Sequence, residues 1–411
     1  MTATSNTLSG YSILFVSKVC SHEMYTRVVG ERTKASLDPS QRLFSAVVKG
    51  LSENGCTVTC ISARPYSINN TDHVFFEREE EVVDGIKYIY PSFHISPIRR
   101  MYDLYKHTAC EVKKWIAENK ESKTIVICDS LVLMCSFPTR KIAHKNGIMT
   151  IAYVTDYPSL ATSIKGKQNL IKSFMQRGFD FFADRDLNRY DAYILVSKYL
   201  NEMIRIHDKP TLVVEDVIIS DEARYEEKVE DGQFTVLYGG ALCERFGVNK
   251  LVDAMQYIED KSISLVLYGS GESVAYIESR EREDNRIHYG GVLPFDKLQI
   301  EQKKANLLVN PRPSNETFSK YSFPSKTLSY MLSGVPVLST RIPGIPVDYQ
   351  KYLFWFDEED VVSMANTIQE LSQLPRDILK EKGFEAFEYA RKYKNPYFQG
   401  KTIVDFISKI I

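Results

Sequence analysis

Apolar and polar positions along this chain follow two alternating patterns. Short runs rich in Val, Ile, Leu and Tyr predict buried strands, and longer stretches with apolar residues at helical spacing predict the helices between them. This alternation is typical of parallel sheets covered by helices, so the predicted fold class is α/β. The predicted strands are Ile13–Ser17, Thr57–Ser62, Thr124–Cys128, Ile151–Thr155, Tyr193–Val196 and Leu212–Val214 in the first half, and Phe234–Tyr238, Ser264–Tyr268, Ile287–Tyr289, Leu307–Val309 and Val335–Leu338 in the second.

The same pattern predicts two domains. A chain of 411 residues is longer than one hydrophobic core usually supports. Between the two sets of strands lies Ile219–Gly232, an acidic stretch without a core pattern, which we interpret as the linker. We therefore expect an N-terminal domain over residues 1–218 and a C-terminal domain over residues 219–395, followed by a last helix after Asn395-Pro396.

The composition is that of an ordinary globular protein and argues against several other classes. A net charge of −1 gives no support for nucleic-acid binding as the main activity. The seven cysteines are scattered without metal-ligand spacing, and we interpret them as reduced thiols of a cytosolic protein. The N-terminal residues lack the apolar region of a signal peptide, and no apolar run is long enough to cross a bilayer. We therefore expect a cytoplasmic protein whose membrane contact would be peripheral.

Motifs of several nucleotide-dependent and hydrolytic enzymes are missing from the sequence. There is no Gly-x-x-x-x-Gly-Lys-Ser/Thr loop, no Gly-x-Gly-x-x-Gly after the first strand and no Gly-x-Ser-x-Gly elbow. Phosphoryl transfer from ATP and dinucleotide-dependent dehydrogenation are therefore disfavoured. One Asp-x-Asp pair, Asp184 and Asp186, lies in a charged helical stretch, where a solvated helix face is the simpler interpretation. We predict no metal site.

The most informative segment is Asn310–Pro346, NPRPSNETFSKYSFPSKTLSYMLSGVPVLSTRIPGIP. It predicts a strand end, a polar loop, a helix opened by Phe323–Lys326, and another buried strand. Such a helix would present unpaired N–H groups at the carboxyl edge of a parallel sheet. With Ser322, Ser325 and Lys326 at its start, it would suit a diphosphate. An ordinary helix capped by Ser and Lys explains the same residues equally well.

Three parts of this segment resemble the donor-site segment of bacterial glycosyltransferase family 4. They are Tyr321–Leu328, Ser333–Val337 and Pro343–Pro346. The resemblance implies the GT-B fold, in which two Rossmann-like domains with parallel sheets face each other across a cleft. It also implies that the last helix, about 396–411, packs back on the N-terminal domain. The implied activity is retaining, metal-independent transfer of a sugar from a nucleotide donor, with UDP as the expected nucleotide and no cofactor.

The donor segment departs from the family pattern at two positions. Members usually carry two glutamates separated by seven residues, and this register falls here on Tyr321 and Ser329. The second glutamate usually holds the donor ribose through two hydroxyls, whereas Ser329 could offer one hydrogen bond. Glu316 lies out of register on the preceding loop and is a candidate to compensate.

Three predicted strands of the second half end in glycine, at Gly239-Gly240, Gly269-Ser270-Gly271 and Gly290-Gly291. Glycines at the carboxyl ends of parallel strands let the backbone approach phosphates, although a tight turn needs no ligand. By the family resemblance, these loops belong to the donor site, and the backbone of Val292 would pair with a uracil edge.

The basic pair that the family carries beside the first glycine loop is only partly present. Ala241 stands where many members have Arg, Arg245 falls near the second basic residue, and Lys250 is a weaker substitute. A cation is useful there because the leaving diphosphate gains negative charge as the glycosidic bond breaks. A turn followed by a solvated arginine is the alternative interpretation.

The first half of the chain is expected to bind the acceptor. Asp156 follows a predicted strand and matches the family's His-Asp pair, with Thr155 in place of the histidine. Asp156 would orient an acceptor hydroxyl or merely cap the following helix. His22, Glu23 and Arg27 fall in the loop after strand one, where the family binds its substrates and where a surface loop is equally plausible.

Two stretches, Ile164–Phe182 and Phe93–Lys106, mix basic with apolar and aromatic residues. Basic amphipathic surfaces attract anionic lipid headgroups, although core helices with a solvated basic face have the same composition. We favour peripheral contact with the inner face of the cell membrane, because the enzymes that the chain resembles often use lipid-linked acceptors.

The sequence thus predicts a retaining glycosyltransferase of bacterial cell-surface polysaccharide synthesis, such as that of a capsule. Its acceptor would be a glycan or a polyprenyl-linked molecule, and Arg245 and Lys326 would meet the donor diphosphate. Two alternatives stay open. The first is a non-catalytic subunit that supports a partner glycosyltransferase, which the departures at Ser329, Ala241 and Thr155 also suit. The second is a sugar-nucleotide epimerase, which would have the same fold.

Overall fold

The computed structural model describes residues 10–32, 39–157, 170–204, 208–219 and 232–411. The chain divides into two compact units, Met1–Ile219 with Asn395–Ile411, and Ser220–Lys394. We call them unit 1 and unit 2. Except for its two end residues, the predicted linker Ile219–Gly232 lies outside the described residues.

Unit 1 contains a sheet that is parallel except at one edge. Its strands are β1 (Tyr11–Ser17), β2 (Thr57–Ser62), β3 (Phe75–Phe76), β4 (Glu79–Val83), β5 (Ile86–Tyr90), β6 (Phe93–His94), β7 (Lys123–Asp129), β8 (Met149–Val154), β9 (Ala192–Leu195) and β10 (Thr211–Val213). The spatial order is β10-β9-β8-β7-β1-β2-β5-β4, and β3 pairs with β6 separately. The helices before unit 2 are α1 (His22–Gly30), α2 (Pro39–Glu53), α3 (Pro97–Glu118), α4 (Leu133–Lys145), α5 (Leu170–Leu187) and α6 (Leu200–Ile204).

The antiparallel pair of β4 and β5 corrects the sequence prediction, which included neither strand. Asp84 and Gly85 connect the two strands with φ angles of 52° and 76°. A two-residue turn with two left-handed residues matches the twist of a hairpin, and Asp-Gly is a preferred sequence for it. The strand was missed because Glu79–Glu81 gives the edge strand β4 an acidic composition, although the Asp-Gly dipeptide was an available signal.

Unit 2 contains a fully parallel sheet. Its strands are β11 (Phe234–Gly239), β12 (Ile263–Tyr268), β13 (Ile287–Tyr289), β14 (Leu307–Asn310), β15 (Val337–Ser339) and β16 (Phe354–Trp355). The spatial order is β13-β12-β11-β14-β15-β16, so the chain reverses direction across the sheet between the neighbouring strands β11 and β14. In open parallel sheets, ligands bind beyond the carboxyl ends of the strands at this reversal point.

The remaining helices cover the sheet of unit 2 and close the chain. They are α7 (Val248–Ala254), α8 (Val274–Glu283), α9 (Phe295–Lys304), α10 (Thr317–Tyr321), α11 (Lys326–Met331), α12 (Val361–Gln373) and α13 (Arg376–Tyr393), and then α14 (Pro396–Ile410), which belongs to unit 1. In unit 1, Gly400 of α14 packs on Gly50 of α2 so closely that a Cβ at either position would overlap backbone of the other helix. No helix of the described ranges is both long enough and apolar enough to span a membrane.

All strands predicted from the sequence are present, with ends displaced by at most two residues, and the α/β class is confirmed. One loop prediction in unit 2 needs correction. The polar loop after β14 contains the short helix α10, whose middle residue Ser319 is fully buried. Helix α7 ends at Ala254, and the chain continues as a 3-10 turn over Met255–Tyr257. Such tightened turns are frequent at helix ends.

Candidate anion-binding site

The three glycine-containing loops of unit 2 contact one another at the carboxyl edge of the sheet. The Gly240 N–H donates to the Tyr268 carbonyl at 2.8 Å, and the Gly269 N–H donates to the Gly291 carbonyl at 2.8 Å. Gly240 and Gly269 have φ angles of 147° and 136°, and a side chain on Gly269 would overlap the Gly240 carbonyl. Because only glycine tolerates both conditions, the backbone can form one continuous surface beyond β11, β12 and β13.

Tyr330 of α11 holds the first of these loops in place. Its buried hydroxyl accepts a hydrogen bond from the Gly239 N–H at 2.9 Å and donates one to the Gly239 carbonyl at 3.2 Å. Burial also raises the pKa of Tyr330, so the hydroxyl keeps its proton. Both backbone groups of Gly239 are thus bonded to the helix that begins with Lys326, and this sets the distance between that helix and the glycine loop.

Lys326 places its ammonium group against the same loop. A Cβ at Gly240 would overlap Cε and Nζ of Lys326, so glycine is needed there to make room for the side chain. Nζ donates a hydrogen bond to the Tyr238 hydroxyl and lies 3.9 Å from the centre of the Tyr238 ring. Burial, with the nearby charge of Arg312 as a second cause, lowers the pKa of Lys326 to about 7. No carboxylate among the described residues opposes this shift.

Two arginines lie around the same aromatic residues. Phe246 and Phe318 form an edge-to-face pair with 5.6 Å between ring centres. Lys326 Nζ and the guanidinium carbon of Arg312 each lie 5.9 Å from the centre of Phe246. The guanidinium carbon of Arg245 lies 4.8 Å from the same centre. We call these three cationic side chains and two rings the cation cluster; it brings together Arg245 and Lys326, which the sequence analysis had paired.

The sequence-based candidates do not include Arg312. It follows β14 closely, at the reversal point of the sheet, and is only 9% exposed. Its guanidinium donates hydrogen bonds to the Ser319 and Ser322 hydroxyls and to the Phe318 carbonyl. Its place just after the predicted strand Leu307–Val309 was the signal that could have found it, because residues there lie on the ligand side of a parallel sheet.

The two serines expected at the start of α11 have different environments. The Ser322 hydroxyl donates to the Phe318 carbonyl at 2.7 Å and accepts a hydrogen bond from Arg312. Ser322 therefore completes α10 and does not cap α11. Ser325 is exposed and precedes α11 without a side-chain capping bond. Because α11 has only six residues, its dipole is short, and the charge of Lys326 is the stronger attraction for an anion.

The other donor-site candidates of unit 2 have unequal access to solvent. Tyr321 is the half-buried last residue of α10, and Glu316 is exposed just before that helix. Ser329 is only 6% exposed, so it offers little surface for a ribose. Gly271 packs against the backbone of the first glycine loop. The Val292 side chain is 66% exposed.

In unit 1, Asp156 is exposed and lies just beyond the end of β8. The neighbouring strand β7 ends in Asp129, which is 2% exposed and accepts a hydrogen bond from the Leu131 N–H at 2.9 Å. Burial raises the pKa of Asp129 to about 6, and the charge of Asp156 adds to this rise. Two carboxyl groups therefore lie near each other at this edge. Sequence analysis named only Asp156, although Asp129 follows a predicted strand in the same way.

The predicted substrate loop after β1 is instead the beginning of helix α1. His22 and Glu23 lie in its first turn, which the Ser21 side chain caps. Arg27 lies in the last turn and forms an ion pair with Glu79 at 2.5 Å. The Ser21 cap stabilises a helix at this point, so the predicted loop is wrong, whereas substrate binding by these residues stays a prediction.

The Asp-x-Asp pair lies on α5, so the predicted helical stretch is confirmed, but the predicted solvated face is wrong for Asp186. Asp186 is 3% exposed and pairs with the buried guanidinium of Arg140, so its charge is already compensated. Burial raises the pKa of Asp184 to about 6. Across the parts of the chain that the structure describes, no group of three His, Cys, Asp or Glu side chains could hold a metal ion.

Comparisons with known proteins find a family signature in unit 2. Residues 233–373 match the family model described as "Glycosyl transferases group 1". This range contains the glycine loops, the cation cluster and α11. No curated protein sequence matches the chain significantly.

Solved structures similar to the chain share its fold. Sucrose-phosphate synthase from Thermosynechococcus elongatus is 15% identical with a TM-score of 0.61, and the match covers 97% of this chain and 99% of that chain. HepE from Anabaena in complex with UDP-glucose is 13% identical with a TM-score of 0.60 and the same coverage, 97% and 99%. WaaG, a glycosyltransferase involved in lipopolysaccharide biosynthesis, is 12% identical with a TM-score of 0.60, again covering 97% and 99%. These similarities confirm the predicted GT-B class with two Rossmann-like units.

Proposed function

We propose that this protein is a glycosyltransferase whose unit 2 binds a nucleoside-diphosphate sugar, with UDP as the nucleotide. The observation that carries the proposal is the environment of Lys326. Its amine lies against glycine backbone at the reversal point of a parallel sheet, and no carboxylate of the described residues compensates it. The family match over residues 233–373 supports the same activity, as does the likeness to HepE, which was solved with UDP-glucose.

A diphosphate matches the cation cluster in charge. Cations held close together and partly desolvated raise the free energy of the empty site, and a bound anion removes much of this cost. The leaving nucleoside diphosphate gains negative charge as the glycosidic bond breaks, so cations held in place beforehand stabilise the transition state. This neutralisation needs no metal ion, and we propose a metal-independent reaction on these grounds.

We propose that unit 1 binds the acceptor, a glycan or polyprenyl-linked molecule, at the edge that carries Asp156. An exposed carboxylate at the carboxyl end of a strand can accept hydrogen bonds from sugar hydroxyls. The likeness to WaaG, which is involved in lipopolysaccharide biosynthesis, supports a role in bacterial cell-surface polysaccharide synthesis. Retention of configuration is proposed from the resemblance of Tyr321–Leu328 to retaining enzymes, with the departing phosphate taking the acceptor proton.

Calorimetric titration with nucleotides tests this proposal. We expect UDP to bind at least about tenfold more tightly than uridine, because each charge-assisted contact to phosphate contributes about 1.5–3 kcal/mol. Release of UDP from a UDP-sugar should then depend on added bacterial glycolipid extract. If none of the three nucleotides UDP, GDP and ADP binds to the protein, the proposal is contradicted. Tight binding of UDP-sugars without turnover would favour the partner-subunit alternative, and conversion to a second sugar nucleotide without acceptor would favour an epimerase.

We further propose that the first turns of α3 contact an anionic membrane. Ile98, Met101 and Tyr102 are 85%, 44% and 61% exposed, so three large apolar side chains are exposed within five residues of one helix. The cations Arg99 and Lys106 are exposed beside them. Apolar side chains can enter the headgroup region while neighbouring cations meet anionic lipids, so this surface has both requirements for peripheral binding.

The rest of the predicted membrane region contributes less to this argument. Arg100 packs over the Phe93 ring at 5.2 Å, and burial lowers its pKa, so it belongs to the interior. Of the second predicted stretch, residues 164–169 lie outside the described residues. The surface of α3 is therefore the part that can be tested.

Sedimentation with vesicles of phosphatidylglycerol and phosphatidylcholine measures the membrane contact. The double variant Ile98→Asp/Tyr102→Asp is expected to bind these vesicles about tenfold or more weakly, because it loses apolar contact and gains repulsion from anionic lipid. UDP affinity should not change, since these residues lie in unit 1. Ile378→Asp, at an exposed apolar position on α13, is the matched control and should bind vesicles like the wild type. Equal binding by the double variant and the wild type would contradict the assignment of this surface.

A further inference from the structure

The cation cluster draws its members from both sides of the reversal point of the sheet. Arg245 follows β11, whereas Arg312 follows the neighbouring strand β14. We propose that Arg312 binds the donor diphosphate together with Lys326 and Arg245, and so supplies the positive charge that Ala241 does not provide. This inference rests on the proposed function and adds a diphosphate-binding residue to it.

The first support is the packing between the two strand ends. Gly247 has a φ angle of 79°, and a side chain there would overlap the Pro311 carbonyl. This close approach joins the 3-10 turn Glu244–Phe246, which carries Arg245, to the segment that carries Arg312. The two arginines consequently share the ring of Phe246, although they lie 67 positions apart in the sequence.

The second support is the electrostatic reach of Arg312. Its charge contributes to the lowered pKa of Lys326, second to burial. It also acts on Tyr238, where burial raises the pKa of the hydroxyl and Arg312 opposes that rise. Both groups lie at the glycine loop, so the positive potential of Arg312 extends to the place where Nζ of Lys326 would meet a phosphate.

The third support is the way the guanidinium is held. The Phe318 ring lies 4.5 Å from its central carbon, and the Ser319 hydroxyl, the Ser322 hydroxyl and the Phe318 carbonyl accept its hydrogen bonds. These three acceptors are neutral groups, and together with the ring they fix the orientation of the guanidinium. A cation that is oriented before the ligand arrives costs little reorganisation when it binds an anion.

The test compares UDP with uridine, because only UDP carries the charge that Arg312 would meet. In calorimetry, Arg312→Gln is expected to lower UDP affinity by about tenfold or more and uridine affinity by less than about twofold. Arg312→Lys keeps a charge but loses the planar fork, so its loss for UDP should be smaller. Arg282→Gln, at an exposed position on α8, is the matched control and should bind both ligands like the wild type.

A structural role would give a different result. Equal losses for UDP and uridine, or no loss for either, would overturn the assignment of Arg312 to the diphosphate. Thermal unfolding shows whether Arg312→Gln is folded. If it is not folded, the affinities of Arg312→Lys for UDP and for uridine are compared instead, and a loss confined to UDP supports the assignment. Failure of the proposed function gives a different result, because the wild-type protein itself would then not bind UDP. That result would overturn both the proposed function and the role of Arg312.

Discussion

Lys326→Met is expected to weaken UDP binding by about 1.5–3 kcal/mol, or roughly 10- to 150-fold. Methionine has a similar length and can occupy the space beside Gly240, but it removes the charge and the hydrogen-bond donors that would meet the phosphates. Isothermal titration calorimetry measures the change. Lys297→Met, at an exposed position on α9, is the matched control and should bind UDP like the wild type.

The same substitution is expected to raise the melting temperature of the unliganded protein at and below pH 7. The pKa of Lys326 is about 7 in the folded protein against 10.5 for a free lysine. The folded state therefore disfavours the ammonium form, and this cost is fully present below pH 7 and disappears as the pH rises toward 10.5. Methionine carries no such cost. Weaker binding with a lower melting temperature would instead indicate that Lys326 mainly supports folding.

The affinity for UDP is expected to fall as the pH rises above 7. Only the ammonium form of Lys326 attracts phosphate, and a bound phosphate should raise its pKa, so binding takes up a proton. Well above pH 7 the affinity should therefore approach a loss of about tenfold per pH unit until the pKa of the bound state is reached. Calorimetry in buffers of different ionisation enthalpy measures both the affinity and the proton uptake.

Lys326→Arg provides the control for this pH dependence. Arginine stays charged throughout this range, so its affinity for UDP should not fall between pH 7 and 9. The terminal phosphate of UDP loses its last proton near pH 6. The added negative charge raises the affinity as the pH increases through 6, and it does so equally in the wild type and in Lys326→Arg. A wild-type profile that is flat above pH 7, or one that falls equally in Lys326→Arg, would contradict the role of the Lys326 amine.

Several parts of the fold could be predicted because they depend on local patterns. Every residue of β14 and five of the six residues of β11 are buried, as expected for strands that helices cover on both faces. The glycines after β11, β12 and β13 follow strand ends, and parallel strand ends meet at one edge of a sheet. Lys326 opens α11 in the sequence prediction and in the structure.

Other parts escaped prediction for identifiable reasons. The acidic residues of β4 are unusual for a strand, and only its pairing with β5 through the Asp-Gly turn identifies it as one. The sequence prediction placed Arg312 in a polar loop. Its burial could not be predicted, because it depends on Phe246, which follows another strand, and on Ser319 of α10. Asp129 follows a predicted strand as Asp156 does, but the burial that raises its pKa depends on the tertiary structure and not on a local pattern.

The sequence by itself determined the order of strands and helices, the glycines at the strand ends and the position of Lys326 at the start of a helix. These features follow from residue type and spacing along the chain. Only the tertiary structure decided that Arg245, Arg312 and Lys326 surround the same ring, and that burial lowers the pKa of Lys326. The reason is physical: the three side chains come from distant segments that meet at one sheet edge, and their desolvation depends on everything packed around them.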